Sequence, residues 1–385
     1  MKDTSSRREF VKTSGAATAG LGILIATPQA VRGAQANSAL TVGLIGAGRR
    51  GTYVSGIFAK NEFARIAAVC DIYDDQLAAA SGKFAGARTF KNYKDLLASD
   101  VDAVYIATPP YLHPEHFEAA VAARKHIFME KPAGVDVAGV NRVIAAAKKA
   151  DKTKRISVDY QQRYGTDYRA ARELMRQGQL GEIASIRAAW IGGGLPVREG
   201  HAAGEEKVRN WLFYREHSGD IIVEQNCHNL DVVNWFMDAH PVRASGYGGR
   251  AIRKNIGNIM DNLACTFEYP DGTVFSFSAN QYVSGGFQDI SETFMCTKGT
   301  LNTSRQGYRL YNKPGRVAEP EFVQSATSKG DITADAVNQF IEGARTGKLE
   351  NAAFYAADST LTAILAREAI YRKQDLTWDE LLKKG

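Results

Sequence analysis

Cysteines, charged runs and long apolar stretches are all scarce in this chain of 385 residues. Its cysteines are too few and too scattered for a zinc ribbon or a disulfide-stapled scaffold; they are Cys70, Cys227, Cys265 and Cys296. The sequence has no basic helix, Lys/Arg run or aromatic RNA-binding motif, so we predict no nucleic-acid partner. Its 44% of hydrophobic and 23% of charged residues exclude intrinsic disorder and a multi-span membrane protein, and indicate soluble domains.

The net charge of +6 is concentrated at the start of the chain. Residues 1–36 carry five bases and two acids, which accounts for half of the excess. Arg7 and Arg8 precede an uncharged stretch from Thr13 to Val31 and the small-residue segment Ala34-Gln35-Ala36, an order that resembles a twin-arginine signal and cleavage site. We therefore predict a signal peptide over 1–36, the twin-arginine export machinery as a partner, and a periplasmic or otherwise exported protein. An amphipathic first helix and an uncleaved membrane anchor are the alternatives.

The next segment has the pattern of a dinucleotide-binding unit. An apolar strand over 39–45 leads into Gly46, Gly48 and Gly51, followed by a helical stretch over 52–60. In this motif the first glycine permits a tight turn, the second lets the backbone approach a pyrophosphate, and the third lets the helix pack close to the strand. The helix N-terminus supplies free N–H groups to the phosphates, so we predict that these glycines bind a dinucleotide.

The choice of cofactor depends on Asp71, which ends the next apolar strand, 20 residues after Gly51. A carboxylate there accepts hydrogen bonds from the adenosine ribose and repels a 2′-phosphate, which favours NAD over NADP. Arg49 and Arg50 are also predicted at the cofactor, where an arginine can pair with a 2′-phosphate, so NADP stays open.

Strands and helices continue to alternate. We predict strands over 101–107, 126–129 and 155–158, which gives an α/β fold with a doubly wound parallel Rossmann sheet. Farther along, apolar runs over 183–190, 263–269, 274–279 and 294–296 indicate more strands, Asp271-Gly272 indicates a hairpin, and 352–371 reads as one amphipathic helix. The predicted domains are the signal peptide at 1–36, an NAD-binding domain at 37–157 and a substrate and oligomerisation domain at 158–385, with the C-terminal helices bracing both.

Several motifs carry a resemblance to a known family. They are ATPPYLH at 107–113, KHIFMEKP at 125–132, YQQRY at 160–164, LGEIASI at 180–186 and SGDIIVEQNCHNLD at 218–231. Together they resemble the glucose–fructose oxidoreductase, inositol dehydrogenase and MocA-like family over essentially the whole mature chain. The resemblance implies a C-terminal α+β domain with a large, open, mostly antiparallel sheet, a sugar or polyol between that sheet and the nicotinamide, and a homodimer or homotetramer.

The first candidate for chemistry is Lys131, which follows a strand and precedes Pro132, so its backbone is held extended. The resemblance implies that Lys131 hydrogen-bonds the hydroxyl that is oxidised and contacts the nicotinamide ribose; an ordinary surface lysine is the alternative. We expect further residues at the carboxyl ends of the strands to lie on the cofactor side: Thr108, Pro109, His113, Glu130 and Arg163.

The second candidate is His228. Glu224, His228 and Asp231 fall at i, i+4 and i+7 of a predicted helix over 223–237, so we expect all three on one face, with Asp231 orienting the imidazole and His228 taking a proton. The family pattern has aspartate and glycine where this chain has Glu224 and Asn226, which puts the use of the first carboxylate in doubt. A core histidine or a metal bound by the three side chains are alternatives, and our prediction is no metal.

These patterns together predict an exported NAD(H)-dependent oxidoreductase that acts on a CH–OH group of a sugar or sugar-like polyol. Tyr160, Trp211, Tyr214 and Glu224 are the candidate substrate contacts. Folded export into a compartment expected to lack free NAD suggests a tightly held cofactor. One alternative is a glycoside hydrolase that works by transient oxidation, elimination and re-reduction, as some relatives do; another is an inactive protein that binds cofactor and sugar.

Overall fold

The computed structural model describes residues 39–312, 321–323 and 330–383. The predicted signal peptide at 1–36 lies outside these residues. Within them, no helix combines the length and the apolar character needed to cross a bilayer.

The first sheet is six-stranded and entirely parallel, in the order β3-β2-β1-β4-β5-β6, which confirms the predicted Rossmann sheet. Its strands are β1 (Leu40–Ile45), β2 (Ala64–Cys70), β3 (Arg88–Phe90), β4 (Ala103–Ile106), β5 (His126–Met129) and β6 (Ile156–Val158). The helices between them are α1 (Arg49–Lys60), α2 (Asp74–Lys83), α3 (Tyr93–Leu97), α4 (His113–Ala122) and α5 (Val137–Lys149). Parallel strands joined by helices place the carboxyl ends of β1, β4 and β5 side by side, where ligands of such sheets bind.

The second sheet is nine-stranded, in the order β14-β13-β12-β11-β7-β10-β9-β8-β15, and only its β7–β10 pair is parallel. Its strands are β7 (Ile183–Gly192), β8 (Arg243–Gly249), β9 (Asn262–Glu268), β10 (Val274–Gln281), β11 (Asp289–Cys296), β12 (Gly299–Ser304), β13 (Gly307–Tyr311), β14 (Glu321–Val323) and β15 (Leu376–Thr377). The predicted hairpin at Asp271-Gly272 joins β9 and β10, with Gly272 at φ +85°. This large, mostly antiparallel sheet is the one that the family resemblance implied.

The helices that follow β6 pack on both layers of the molecule: several contact strands of the second sheet, whereas Ile332–Thr346 packs against α1 of the first layer. They are α6 (Thr166–Arg176), α7 (Glu206–Arg209), α8 (Arg215–Ser218), α9 (Ile221–Glu224), α10 (Cys227–Met237), α11 (Ile332–Thr346), α12 (Ala353–Arg372) and α13 (Trp378–Lys383). The predicted single helix over 223–237 is wrong, because the chain leaves the helix at Gln225 and Asn226, between α9 and α10.

The C-terminal helix α12 lies between the two sheets. It packs against α5 of the first sheet layer and against α10 and β8 of the second. Every residue from Ser359 to Arg367 is buried, so the prediction of an amphipathic helix is wrong. Small alanine, serine and threonine side chains let the helix pack closely against neighbours on all sides. The serine and threonine hydroxyls can hydrogen-bond to polar residues of those neighbours.

Candidate active site

The glycine-rich turn between β1 and α1 has the shape that a pyrophosphate requires. Gly46 has φ +96°, and a Cβ there would lie 2.7 Å from the backbone of Ala107; a Cβ on Gly51 would lie 2.0 Å from the carbonyl oxygen of Gly46. Around Gly48, by contrast, a Cβ would meet no atom within 4 Å. No side chain caps the start of α1 and no acidic residue lies in its first turn, so its N–H groups face open space that suits an anion.

A cleft of about 300 Å³ extends from this turn along the carboxyl ends of the strands. Five of the residues predicted at the cofactor line it: Gly46, Gly48, Asp71, Thr108 and Pro109. The Asp71 carboxylate accepts hydrogen bonds from the backbone N–H groups of Ala47 at 2.8 Å and Tyr73 at 3.0 Å, which hold it at the mouth of the glycine turn. The chain's own residues therefore fit the adenosine and pyrophosphate part of a dinucleotide.

Arg50 and Glu130 do not reach this cleft, contrary to their predicted place at the cofactor. The Arg50 side chain turns inward, where Nε donates to Glu130 at 2.9 Å and the guanidinium also pairs with buried Asp159. The hydroxyl of Tyr105 donates to the same Glu130 oxygen at 2.7 Å. Arg50 is therefore paired with two buried carboxylates and is not available to bind a 2′-phosphate. Arg49 is exposed at the start of α1.

His113 is buried and bridges two backbone segments instead of facing the cleft. Its Nδ1 lies 2.6 Å from the carbonyl oxygen of Pro132, and its Nε2 lies 2.8 Å from that of Thr108. The peptide bond between Lys131 and Pro132 is cis. His113 therefore ties the turn after β4 to the turn after β5, and it positions residues at the cofactor edge without lining the cleft.

Lys131 lies at the junction of the two sheets. Its Nζ donates to the Glu224 carboxylate at 2.8 Å and to the Glu224 carbonyl oxygen, and both side chains are largely buried. Burial by itself lowers the pKa of Lys131, but the charge and hydrogen bond of Glu224, helped by Cys227, raise it overall. Lys131 is therefore an ammonium ion that can donate hydrogen bonds and stabilise negative charge.

His228, at the start of α10, is enclosed by aromatic rings. Its ring centre lies 6.1 Å from that of Tyr160, edge to face, and 6.0 Å from that of Trp190, nearly parallel. Its buried Nδ1 has no hydrogen-bond partner among the described residues. Burial, together with the positive charge of Lys131, lowers the pKa of His228 well below 6.5, so the imidazole is neutral at pH 7 and able to accept a proton.

Asp231 does not orient His228, which corrects the prediction from helical spacing. Its carboxylate accepts hydrogen bonds from Arg163 Nε at 2.8 Å and from Ser359 Oγ at 2.7 Å. The Arg163 guanidinium in turn lies 3.9 Å from the centre of the Tyr355 ring, and Arg163 does not line the dinucleotide cleft. The turn after β6 places Arg163 against α10. The buried carboxylate of Asp231 therefore pairs with this cation and not with the His228 imidazole one helical turn away.

The predicted substrate aromatics divide between two places. Tyr160 is fully buried beside His228 and its hydroxyl contacts Thr360 of α12 at 3.2 Å. Trp211 lines the dinucleotide cleft opposite Asp71, not the His228 region. Tyr214 donates to Glu206 at 3.2 Å and packs at the edge of the core. Of this set, only Tyr160 and Glu224 lie with Lys131 and His228.

Sequence patterns did not predict the environment of three residues near the site. Trp190 ends the inward-facing row of β7, and simple alternation along that strand could have indicated its orientation. Asn226 is fully buried, and neither its Oδ1 nor its Nδ2 has a described hydrogen-bond partner, a pattern that calls for a polar ligand or water. Arg209, from the loop after β7, contacts Asp75 of the first domain. No local sequence pattern predicts this contact.

In the described parts of the chain, no group of three or more His, Cys, Asp and Glu side chains is arranged to hold a metal ion. Glu224, His228 and Asp231, the candidate ligands, point to different partners.

Comparison with known proteins agrees with this geometry. Residues 40–160 match the family profile described as an oxidoreductase family with an NAD-binding Rossmann fold, and residues 168–302 match the GFO/IDH/MocA C-terminal domain. An inositol 2-dehydrogenase of Corynebacterium glutamicum strain R is 25% identical over 66% of this chain and 71% of its own length. A myo-inositol 2-dehydrogenase of Thermotoga maritima is 23% identical over 66% of this chain and 72% of its own.

Solved structures show the same fold. A myo-inositol 2-dehydrogenase from Lactobacillus plantarum superposes with a TM-score of 0.72 at 22% identity, covering 88% of this chain and 99% of that one. A levoglucosan dehydrogenase in complex with NADH and levoglucosan superposes with a TM-score of 0.74 at 18% identity, covering 88% and 99%. The two matched profiles span the whole first sheet, the second sheet from β7 to most of β12, and the Lys131 and His228 segments. This chain belongs to the Gfo/Idh/MocA family of NAD-dependent oxidoreductases.

Proposed function

We propose that this oxidoreductase is exported and oxidises a hydroxyl-bearing carbon of a sugar or sugar-like polyol, with NAD(H) held tightly. The observation that carries the proposal is the placement of a neutral, buried imidazole, His228, and a buried ammonium ion, Lys131, where the two sheets meet, directly after a strand end of the first sheet. NAD, when bound, supplies the acceptor for the hydride of the reacting carbon. The similarity to inositol dehydrogenases and to a levoglucosan dehydrogenase supports a polyol substrate.

The two side chains divide the proton chemistry. Lys131 is held charged by Glu224, so it donates a hydrogen bond to the reacting hydroxyl oxygen and stabilises the negative charge that develops there. His228 is neutral at pH 7, so its imidazole accepts the hydroxyl proton. Because the ion pair with Glu224 keeps Lys131 protonated, His228 is favoured over Lys131 as the base.

The pH dependence of kcat/KM should report the His228 base. A histidine must lose its proton to act as a base, so activity falls as pH drops through its pKa in the free enzyme. Because burial lowers the pKa of His228, we expect the acid limb of the profile at a pH below 6.5. Steady-state rates between pH 4.5 and 8 measure it, with aliquots returned to pH 7.5 to exclude denaturation. An acid limb at or above 6.5 would contradict the assignment.

A clasp over the cleft supports tight cofactor binding. We use the name for Arg209 and its partners: the guanidinium makes two hydrogen bonds to Asp75 of α2, at 2.8 and 2.9 Å, and one to Glu205 at 3.1 Å. It also lies 3.6 Å from the centre of the Tyr73 ring. The clasp ties the loop after β7 across the adenosine end of the cleft, so this loop must move before a dinucleotide can leave.

Replacing Arg209 with alanine should speed release of the cofactor. Loss of a two-pronged, partly exposed ion pair and of the Tyr73 contact should raise the dissociation rate of NADH about 5- to 30-fold. Fluorescence of NADH chased with excess NAD measures the rate. Arg88→Ala, which removes a surface pair with Asp100 on the same domain, is the matched control and should leave the rate unchanged. An equal effect of both variants would count against the clasp.

The direct test of the proposed function begins with the purified protein as expressed. We expect denaturation to release NAD(H), and the protein to reduce bound or added NAD with a polyol from a panel of inositols and hexoses. Release of NADP(H) or an empty cleft would contradict the tightly held NAD, and failure to oxidise any polyol would contradict the oxidoreductase assignment. For export, cell fractionation should find the protein outside the cytoplasm, and an Arg7→Lys, Arg8→Lys variant should be retained inside.

A further inference from the structure

Arg305 lies on the inner face of the second sheet, and the proposed reaction does not use it. It belongs to the turn that joins β12 to β13. Along β12 the buried residues are Leu301 and Thr303, and alternation places Arg305 on the same side two residues later. This is the side on which α10 packs against β7 and β11, so Arg305 shares a face with Trp190 and with the helix that carries His228.

Two ring contacts connect Arg305 to the site. The central carbon of its guanidinium lies 5.3 Å from the centre of the Trp190 ring, and that ring stacks on His228 with centres 6.0 Å apart. The distance from the guanidinium to the imidazole therefore cannot exceed the sum of these two distances. Its charge contributes, after burial and Lys131, to the lowered pKa of His228. Arg305 thus lies at the outer end of a row that begins at the reacting groups.

The positive charge of Arg305 lacks a partner in the described chain. Its Nε is buried without a hydrogen bond, and no carboxylate of the described residues lies within ion-pair distance. Glu292, on the same sheet face, is occupied: its oxygens accept hydrogen bonds from Thr303 and Asn229. Burial also raises the pKa of Glu292 to about 7, so at neutral pH its charge offsets that of Arg305 only in part. An unpaired, partly buried guanidinium is costly unless a ligand uses it.

We propose that Arg305 determines substrate specificity by binding an anionic substituent, carboxylate or phosphate, on the polyol that reacts at His228. The Trp190 ring contacts the guanidinium through its π face and accepts no hydrogen bond from it, so the terminal N–H groups can form a two-pronged contact with an oxyanion. This inference rests on the proposed function, because it places the anionic group and the reacting hydroxyl on one molecule.

The test compares probes that differ at one carbon: D-glucose, D-glucuronate and D-glucose 6-phosphate, with the corresponding galactose series. For each, kcat/KM is measured by NADH formation and binding by titration calorimetry, in wild type, Arg305→Gln and Arg305→Lys. We expect anionic probes to be preferred by wild type, and Arg305→Gln to lower their kcat/KM about 10- to 100-fold with less than about threefold change for neutral probes. Arg309→Gln, an exposed arginine of the same hairpin, is the matched control.

The possible outcomes distinguish a failure of the anion site from a failure of the proposed oxidation. A preference for the carboxylate probe identifies a sugar acid as substrate, and a preference for the phosphate probe identifies a sugar phosphate. If wild type binds and oxidises neutral probes as well as anionic ones, or if Arg305→Gln weakens both equally, the inference is wrong. If anionic probes bind through Arg305 but no probe is oxidised, the anion site stands and the proposed oxidation fails.

Discussion

Replacing Lys131 with methionine should lower kcat/KM for the polyol by about 10²- to 10⁴-fold, the usual contribution of a positioned proton-handling or charge-stabilising group. Methionine preserves much of the side-chain volume but removes the ammonium ion that Glu224 holds in place. NADH titration should give a dissociation constant close to that of wild type, because the cleft is lined by other residues. Initial rates with saturating NAD measure the loss.

Two variants control for this result. Lys149→Met, on the exposed side of α5, should retain full activity. The double variant Lys131→Met, Glu224→Gln removes the carboxylate that the single change leaves without its partner, so it separates lost chemistry from a local rearrangement around Glu224. A double variant that recovers near wild-type kcat/KM would show that Lys131 acts on structure and not on the substrate.

Replacing Arg163 with methionine should destabilise the protein by about 3–5 kcal/mol, because Asp231 is then left as a buried charge with Ser359 as its remaining hydrogen-bond donor. Both partners are almost completely buried, at 14% and 1% side-chain exposure, so solvent does little to screen the loss. Equilibrium urea unfolding, followed by tryptophan fluorescence with NAD present at fixed concentration, measures the change in the free energy of unfolding.

The same pair decides between two roles for Asp231. If it is structural, the double variant Arg163→Met, Asp231→Leu should regain most of the lost stability, since apolar replacements of a buried ion pair are often tolerated. Asp231→Asn should then lower kcat of the folded enzyme less than about tenfold, well below the 10²–10⁴ expected for a group that shares in proton transfer. A large loss of kcat in Asp231→Asn with unchanged stability would instead restore the role that the helical spacing predicted.

The features that sequence predicts well are those fixed by neighbouring residues. The turn at Gly46, Gly48 and Gly51 depends on the contacts of three positions within one strand–helix unit, so spacing suffices to predict it. Lys131 follows the same logic, since its strand and its proline determine where it lies. The alternation of strands and helices likewise specifies the first sheet.

Residue spacing could not predict ion pairs between segments that are distant in the sequence. Arg163 and Asp231 are separated by 68 positions, and Arg209 and Asp75 by 134, so either ion pair depends on how separate elements pack. The spacing of Glu224, His228 and Asp231 assumed one continuous helix, and the break at Gln225 and Asn226 removed that assumption. A helical face predicts neighbours on that helix, but it does not predict a stronger partner arriving from another element.

The burial of α12 between the sheets restricts how this enzyme can open. Thr360 accepts a hydrogen bond from the backbone of Ala133, two residues after Lys131, and contacts the hydroxyl of Tyr160 beside His228. One residue earlier, Ser359 donates to Asp231 on α10. A hinge motion that separates the two sheets would break the hydrogen bonds of Ser359 and Thr360 on both sides of α12. Separation of the sheets is therefore a costly way to admit substrate and cofactor, and movement of surface loops is the cheaper one.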